Sequence, residues 1–132
     1  MVAVIALLAI LAVFGASIVV ISTSQQIGAA LDLQGVRAYH AARGGVEWAM
    51  YQVLRNGRSC ADLQGKTLAY GANLAGFSVT VGCRSSSHEE GSTPVTVFTV
   101  SATGCNEAAC PTGGTPGTTY VERQLRLTLG SN

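Results

Sequence analysis

The stretch MVAVIALLAILAVFGASIVVI, residues 1–21, consists almost entirely of Ala, Val, Ile and Leu and decides the fold of this chain. The first ionisable side chain after it is Asp32. An α-helix rises about 1.5 Å per residue, so a helix of this length spans the roughly 30 Å hydrocarbon layer of a bilayer. We therefore expect residues 1–24 to form a helix that lies in a membrane or among other apolar helices.

The apolar character begins at the first residue, without a basic leader. A secretory signal usually starts with basic residues and ends at a small-residue cleavage site after a shorter apolar core. We therefore expect Met1 to be a processed end and the apolar helix to be retained in the mature protein.

The helical pattern continues through residues 25–56. Apolar side chains recur there at steps of three and four residues, and no proline occurs before Pro94. Asn56 and Gly57 tolerate the left-handed conformation that ends helices, so one helix should run to about Leu54. Its second part should be amphipathic and dock on a sheet through Val36, Tyr39, Val46, Met50 and Val53.

Five glycines interrupt this helical sequence, at positions 15, 28, 35, 44 and 45. Each costs about 1 kcal/mol relative to alanine in an exposed helix interior. Small residues let helices approach closely, but glycine also loosens a helix, and the sequence leaves both explanations open.

Residues 57–132 should form a small domain with an antiparallel β-sheet. Three segments alternate with a period of two residues and carry β-branched or aromatic side chains: 77–83 (FSVTVGC), 95–102 (VTVFTVSA) and 119–129 (TYVERQLRLTL). Residues 59–75 are predicted to form an irregular loop. The linkers RSSSHEEGSTP (84–94) and NEAACPTGGTPGT (106–118) should be surface hairpin connections. The predicted fold class is α+β, with the long N-terminal helix packed on the sheet.

The last predicted strand has two different faces. One carries mostly polar side chains, and the other is expected to meet the helix through Val121, Arg123, Leu125, Leu127 and Leu129.

All four cysteines, Cys60, Cys83, Cys105 and Cys110, follow the apolar segment. Disulfides stabilise small domains in oxidising compartments, and four cysteines allow three pairings. We favour Cys60 with Cys83 and Cys105 with Cys110, because a four-residue spacer makes the second pair locally feasible. A zinc site is the alternative, although structural zinc sites usually show two close ligand pairs and here only one pair is close.

The polar residues indicate no catalytic, metal or cofactor site. The motifs for haem attachment, phosphate binding and a serine nucleophile are absent from the sequence. The net charge of +1 predicts no specific nucleic-acid partner. A basic run in the helical region is interpreted as a solvated face, formed by Arg37, Arg43, Arg55 and Arg58.

An apolar N-terminal helix that continues into a small, cysteine-bearing sheet domain resembles the type IV pilin family, which includes the pseudopilins. The segments AARGGVEWA (41–49), FSVTVGC (77–83) and YVER (120–123) strengthen the resemblance to pilin-like proteins. The resemblance implies cleavage by a prepilin peptidase, storage in the bacterial inner membrane and extraction by a pilus assembly machinery into an extracellular filament.

Within such a filament the partners are other copies of the chain and other pilins, and Met1 would carry an N-methyl group. The resemblance implies a filament-core helix whose contacts include Val4, Ile5, Leu7, Leu8, Leu11, Phe14 and Ile18. Most major pilins have glutamate at the fifth position, where this chain has Ile5. That departure favours a minor or divergent subunit.

Overall fold

The structure, a computed structural model, describes residues 2–131 of the 132-residue chain. It has a long N-terminal helix and a four-stranded antiparallel sheet, which confirms the predicted α+β class. The elements in chain order are helix α1 (Val2–Leu54), helix α2 (Cys60–Leu63), strand β1 (Lys66–Ala69), a 3₁₀ helix (Ala72–Leu74), and strands β2 (Ser78–Glu90), β3 (Thr93–Cys105) and β4 (Glu122–Ser131).

The chain divides into two compact units, of which the first ends at Leu33 and the second begins at Gln34. All described residues of the first unit are helical, and nearly all are exposed. Gly15 and Gly28 have no neighbouring atom within 4 Å of the place where a Cβ would stand. These two glycines therefore make no close contact within the described chain.

The sheet of the second unit has the strand order β1-β2-β3-β4, and every neighbouring pair is antiparallel. Val81 pairs with Ala102, which in turn pairs with Leu125. Because side chains alternate between the two faces, these three residues lie on the face that meets α1. Val79, Val81, Val100 and Ala102 are fully buried there and form the centre of the core.

The part of α1 that packs on the sheet does so mainly through small side chains. Its buried residues are Gly35, Ala38, Ala41, Ala42, Gly45, Val46, Ala49 and Val53. The predicted stripe is therefore only partly right, since Val46 and Val53 are buried but Val36 and Tyr39 are 48% and 42% exposed. A Cβ on Gly45 would lie 2.6 Å from Cγ1 of Val79, so the helix approaches the sheet too closely for larger residues.

The prediction of an irregular loop over residues 59–75 is wrong, because this region contains α2, β1 and the 3₁₀ helix. A capping box begins α2: the Ser59 side chain accepts from the Asp62 main chain, and Asp62 accepts from the Ser59 main chain. Strand β1 is short and almost wholly exposed, and its pairing with β2 defines it. A strand without buried alternation leaves no hydrophobic pattern in the sequence.

The linker 84–94 is also different from the prediction, since β2 continues to Glu90 and β3 already begins at Thr93. Only Gly91 and Ser92 connect the two strands, and Gly91 has a φ of +66°. This polar extension of β2 is stabilised by main-chain pairing with β3, which runs from Arg84 opposite Thr99 to Glu90 opposite Thr93. The linker 106–118 is irregular as predicted.

The apolar face of β4 is covered less than expected. Val121, just before the strand, is buried, and Leu125 and Leu129 are half-buried, whereas Leu127 is 38% exposed and Arg123 is also exposed. The closest helix contacts are made with β2 and β3, and β4 lies at the edge of the sheet. The leucine face of β4 is therefore only partly covered.

Candidate functional site

The most unusual surface of the protein is the apolar segment, residues 2–21 of α1. Its large aliphatic and aromatic side chains are between 54% and 83% exposed. The sequence-predicted contact residues all belong to this surface: Val4, Ile5, Leu7, Leu8, Leu11, Phe14 and Ile18. Soluble monomers seldom expose large contiguous apolar patches, so this surface requires lipid or a protein partner.

The few hydroxyl groups in and just after the apolar segment are satisfied by the helix itself. Ser17 donates to the carbonyl of Val13 at 2.8 Å, and Thr23 donates to that of Val19 at 2.9 Å. Ser24 donates to the carbonyl of Ile21 at 2.8 Å. An unpaired polar group is costly in an apolar environment, so these hydrogen bonds suit the helix to lipid or to a dry bundle.

By length and composition α1 can span a membrane. Its most apolar 18-residue window has a mean hydropathy of 3.1 and is not buried by any other part of the described chain. The core helix of a soluble protein would be mostly buried, whereas this window is exposed. Met1, the expected processed and methylated end, lies outside the described residues.

Two disulfides join parts of the second unit, which we call the head. Cys60 in α2 is bonded to Cys83 in β2, and Cys105 at the end of β3 is bonded to Cys110 in the following loop. This is the pairing that the sequence favours. Because every cysteine is in a disulfide, no thiolate is available for the alternative zinc site.

Asn106 fixes the loop that follows β3. Its side-chain Nδ2 donates to Oε1 of Gln34 and to the carbonyl of Thr119, both at 2.7 Å. Its Oδ1 accepts from the main-chain N–H of Val121 at 2.9 Å. One amide therefore connects α1, the end of the loop and the start of β4. The sequence gives no signal for this role of Asn106, because a lone asparagine in a polar linker carries no distinguishing pattern.

Tyr120 closes the other side of this loop. Its hydroxyl donates to Oε2 of Glu122 at 2.5 Å and accepts from the main-chain N–H of Thr112 at 3.3 Å. Burial, followed by the hydrogen bond to Glu122, raises the pKa of Tyr120. The phenol therefore stays protonated and acts as a structural donor.

Tyr70 lies against the helix at Gly44, where a Cβ would stand 3.0 Å from the tyrosine hydroxyl. This hydroxyl is buried and has no hydrogen-bond partner among the described residues. Burial, with a smaller contribution from the charge of Glu47, raises the pKa of Tyr70. A side chain at position 44 would press on the Tyr70 hydroxyl, and the close contact leaves that hydroxyl unsatisfied.

Within residues 2–131, no group of three His, Cys, Asp or Glu side chains is placed so that it could hold a metal ion. Of the basic run, Arg43 pairs with Glu47 at 2.9 Å on the exposed surface of α1. This exposed pair contributes little to stability, and all four arginines of the run are exposed to solvent.

Comparison with family models, with curated protein sequences and with solved structures found no match for this chain.

Proposed function

We propose that the chain is a non-enzymatic structural subunit of an extracellular type IV pilus-like filament and that it polymerises through its N-terminal helix. The observation that carries this proposal is the exposure of the whole apolar segment in a chain that also has a folded, disulfide-containing head. A purely anchoring helix would explain the first feature. The segments AARGGVEWA, FSVTVGC and YVER, which resemble pilin-like proteins of mannose-sensitive haemagglutinin pilus biogenesis, favour the filament.

Two energy terms favour such a filament, the burial of apolar surface and the retention of main-chain hydrogen bonds. Apolar surface in water costs about 25 cal/mol per Å², and either lipid or a bundle of like helices removes that surface from water. Because an α-helix pairs its own backbone groups, no main-chain hydrogen bond is lost when it moves from the bilayer into a bundle. The inner membrane can therefore store the subunit, and an assembly machinery can transfer it at small net cost.

In the proposed filament the apolar segment packs against other copies and against other pilins. Leu7, Leu8 and Leu11 lie within two turns of helix and supply aliphatic contacts for neighbouring helices. The disulfide-stabilised head lies outside that core, where an oxidising environment preserves its cross-links. The extracellular space provides that environment after assembly, and the periplasm provides it before.

Ile5 favours a second candidate function, that of a minor pilin or pseudopilin which primes assembly or occupies the tip. The glutamate found at this position in most major pilins is thought to neutralise the terminal amine of a neighbouring subunit. If Met1 is the mature first residue, as the resemblance implies, the uncharged Ile5 stands at this position and cannot form that ion pair. A subunit placed at the tip has fewer neighbours and tolerates the loss better than one repeated along the filament.

Mechanical shearing of cells that produce the protein, without detergent, tests the proposal. We expect the chain in the sheared filament fraction, visible by electron microscopy. Filaments composed mainly of this chain would support the structural subunit, and filaments with only trace amounts would support the minor pilin. Complete retention of the chain in the membrane fraction would overturn both in favour of a non-polymerising, membrane-anchored periplasmic protein.

A further inference from the structure

The sole tryptophan of the chain lines a cleft that the filament proposal does not use. Trp48 and Gln52, one turn apart on α1, line it together with Asp62 of α2 and Lys66 of β1. Leu63, only 2% exposed, adds an apolar side chain to the lining. The cleft has a volume of about 270 Å³, just below the roughly 300–1,000 Å³ of sites for drug-sized ligands. The cleft is therefore large enough for one small ligand.

Two cations and one carboxylate line this cleft. Arg58 and Lys66 form no salt bridge within 4.0 Å among residues 2–131, and both lie near enough to Asp62 to help lower the pKa of its carboxyl, after the larger effect of its hydrogen bonds with Ser59. The lining therefore carries one positive charge in excess. The main-chain N–H of Arg58 donates to the carbonyl of Gln52 at 3.0 Å, which fixes the backbone of Arg58 beside the last turns of α1. An arginine and a lysine that face one small cleft favour an anionic group, and a guanidinium binds a carboxylate through two parallel hydrogen bonds.

Asp62 contributes the opposite charge and narrows the choice of ligand. Its Oδ2 accepts both the main-chain N–H and the hydroxyl of Ser59, at 3.2 and 2.8 Å. Among the described residues nothing donates to its Oδ1, which is therefore free to accept from a ligand hydroxyl. A fixed carboxylate repels a chain of phosphates, but it binds a ligand that carries hydroxyl groups beside one acidic group.

The half-buried Trp48 ring completes the set of contacts. The face of an indole ring is electron-rich, and the C–H groups of a pyranose ring carry partial positive charge, so the two surfaces pack favourably. We propose that this cleft binds one acidic sugar unit, a pyranose with a carboxylate. Trp48 packs against the ring, Arg58 and Lys66 hold the carboxylate, and Gln52 and Asp62 bind hydroxyls.

The sole tryptophan makes the site directly measurable in the full-length protein, purified in a detergent without a sugar headgroup. We expect Trp48 fluorescence to change saturably with methyl glucuronide, at a dissociation constant of about 1–10 mM. Methyl glucoside, which has the same ring without the carboxylate, should bind at least about fivefold more weakly, equivalent to roughly 1 kcal/mol. Saturation-transfer NMR of the sugar signals provides a second measurement that does not depend on fluorescence.

Arg58→Gln should weaken methyl glucuronide binding at least about fivefold, while Arg55→Gln, which changes an exposed arginine outside the cleft, should leave it unchanged. Equal binding of the glucoside and the glucuronide, or no binding by either measurement, would overturn the proposal. Tighter binding of a dinucleoside phosphate would overturn it in favour of a nucleic-acid site. The measurement uses dispersed subunits, so its outcome is independent of filament formation.

Discussion

Gly104 of β3 lies directly against the backbone of α1 at Ala38. A Cβ at position 104 would stand 2.6 Å from the carbonyl oxygen of Ala38 and 3.0 Å from the main-chain nitrogen of Ala42. Backbone atoms within a helix cannot move aside as a flexible side chain can. The absence of a side chain at Gly104 therefore sets the distance between the helix and the sheet.

Gly104→Ala should lower the free energy of unfolding of the head by about 1–3 kcal/mol, because the added methyl group forces the helix away from the sheet. Chemical denaturation of the full-length protein in detergent, followed by Trp48 fluorescence, measures this change. Gly117→Ala is the matched control, since a Cβ there has no neighbour within 4 Å. Equal stability of the two variants would show that the close contact is not required.

Leu11→Asp should abolish filament formation, because it places a charge at the centre of the apolar segment. A charged aspartate at the middle of a membrane helix costs about 2.5–3.5 kcal/mol on insertion scales, and a dry helical bundle imposes a comparable penalty. Electron microscopy of sheared surface material provides the measurement. Leu11→Met, which conserves volume and polarity, should assemble normally, and normal filaments from the aspartate variant would contradict the proposed core.

Removal of the Cys60–Cys83 disulfide should destabilise the head more than removal of Cys105–Cys110. The two bonds close sequence separations of 23 and 5 residues, and in the chain-entropy model stabilisation grows with loop length. The model gives about 3 and 2 kcal/mol respectively. Two double variants, each with both cysteines of one disulfide changed to alanine, can be compared by urea denaturation in detergent. A larger loss of stability from removal of Cys105–Cys110 would contradict the prediction.

Reduction of both disulfides should expose the head to proteolysis before the apolar segment loses its helical structure. The cross-links lie in the head, whereas hydrogen bonds within α1 maintain the helix in detergent. Limited proteolysis with and without reductant, accompanied by circular dichroism, distinguishes the two regions. Identical digestion under both conditions would show that the disulfides contribute little.

Tyr70→Phe should leave the head as stable as the parent or stabilise it, by up to about 1–2 kcal/mol at neutral pH. The substitution removes a buried hydroxyl without a partner and keeps the aromatic ring in place. The urea midpoint at pH 7 measures the effect. A clear loss of stability would indicate that the hydroxyl has a hydrogen-bond partner in solution, such as a bound water.

Alkaline pH should destabilise the head through its half-buried tyrosines, Tyr70 and Tyr120. Burial raises the pKa of Tyr70, as it does for Tyr120, so the unfolded chain loses these phenolic protons first, near pH 10. The stabilisation is fully present below that pH and is lost as the pH rises through the higher pKa of the folded state. The urea midpoint of the parent protein should fall as the pH is raised from about 8 to 11, and that of the Tyr70→Phe variant should fall less steeply.

The sequence predicted those features that have a local periodic signal. The uninterrupted apolar run and the absence of proline predicted α1, whose observed end at Leu54 agrees with the stop signal at Asn56 and Gly57. Alternation located the first half of β2 and most of β3 and β4. The features without such a signal were missed, because β1 and the polar end of β2 exist through main-chain pairing with a neighbouring strand.

The candidate sites also divide into those with a local signal in the sequence and those without one. The apolar segment is evident from composition, because any large exposed apolar surface must find lipid or protein. The cleft beside Trp48 was not recognised, since it combines residues from α1, α2 and β1. The role of Asn106 likewise depends on Gln34, which is distant in the sequence.

The sequence by itself determined that the chain begins with an apolar helix and continues into a small, cross-linked β domain. Hydrophobicity and periodicity are local properties, and each is encoded by neighbouring residues. Which face of α1 meets the sheet depends on long-range packing, and that face consists mainly of small residues, with Val46 and Val53, and excludes Val36 and Tyr39. The physical reason is steric: contacts such as Gly104 against Ala38 allow close packing only where side chains are absent or small.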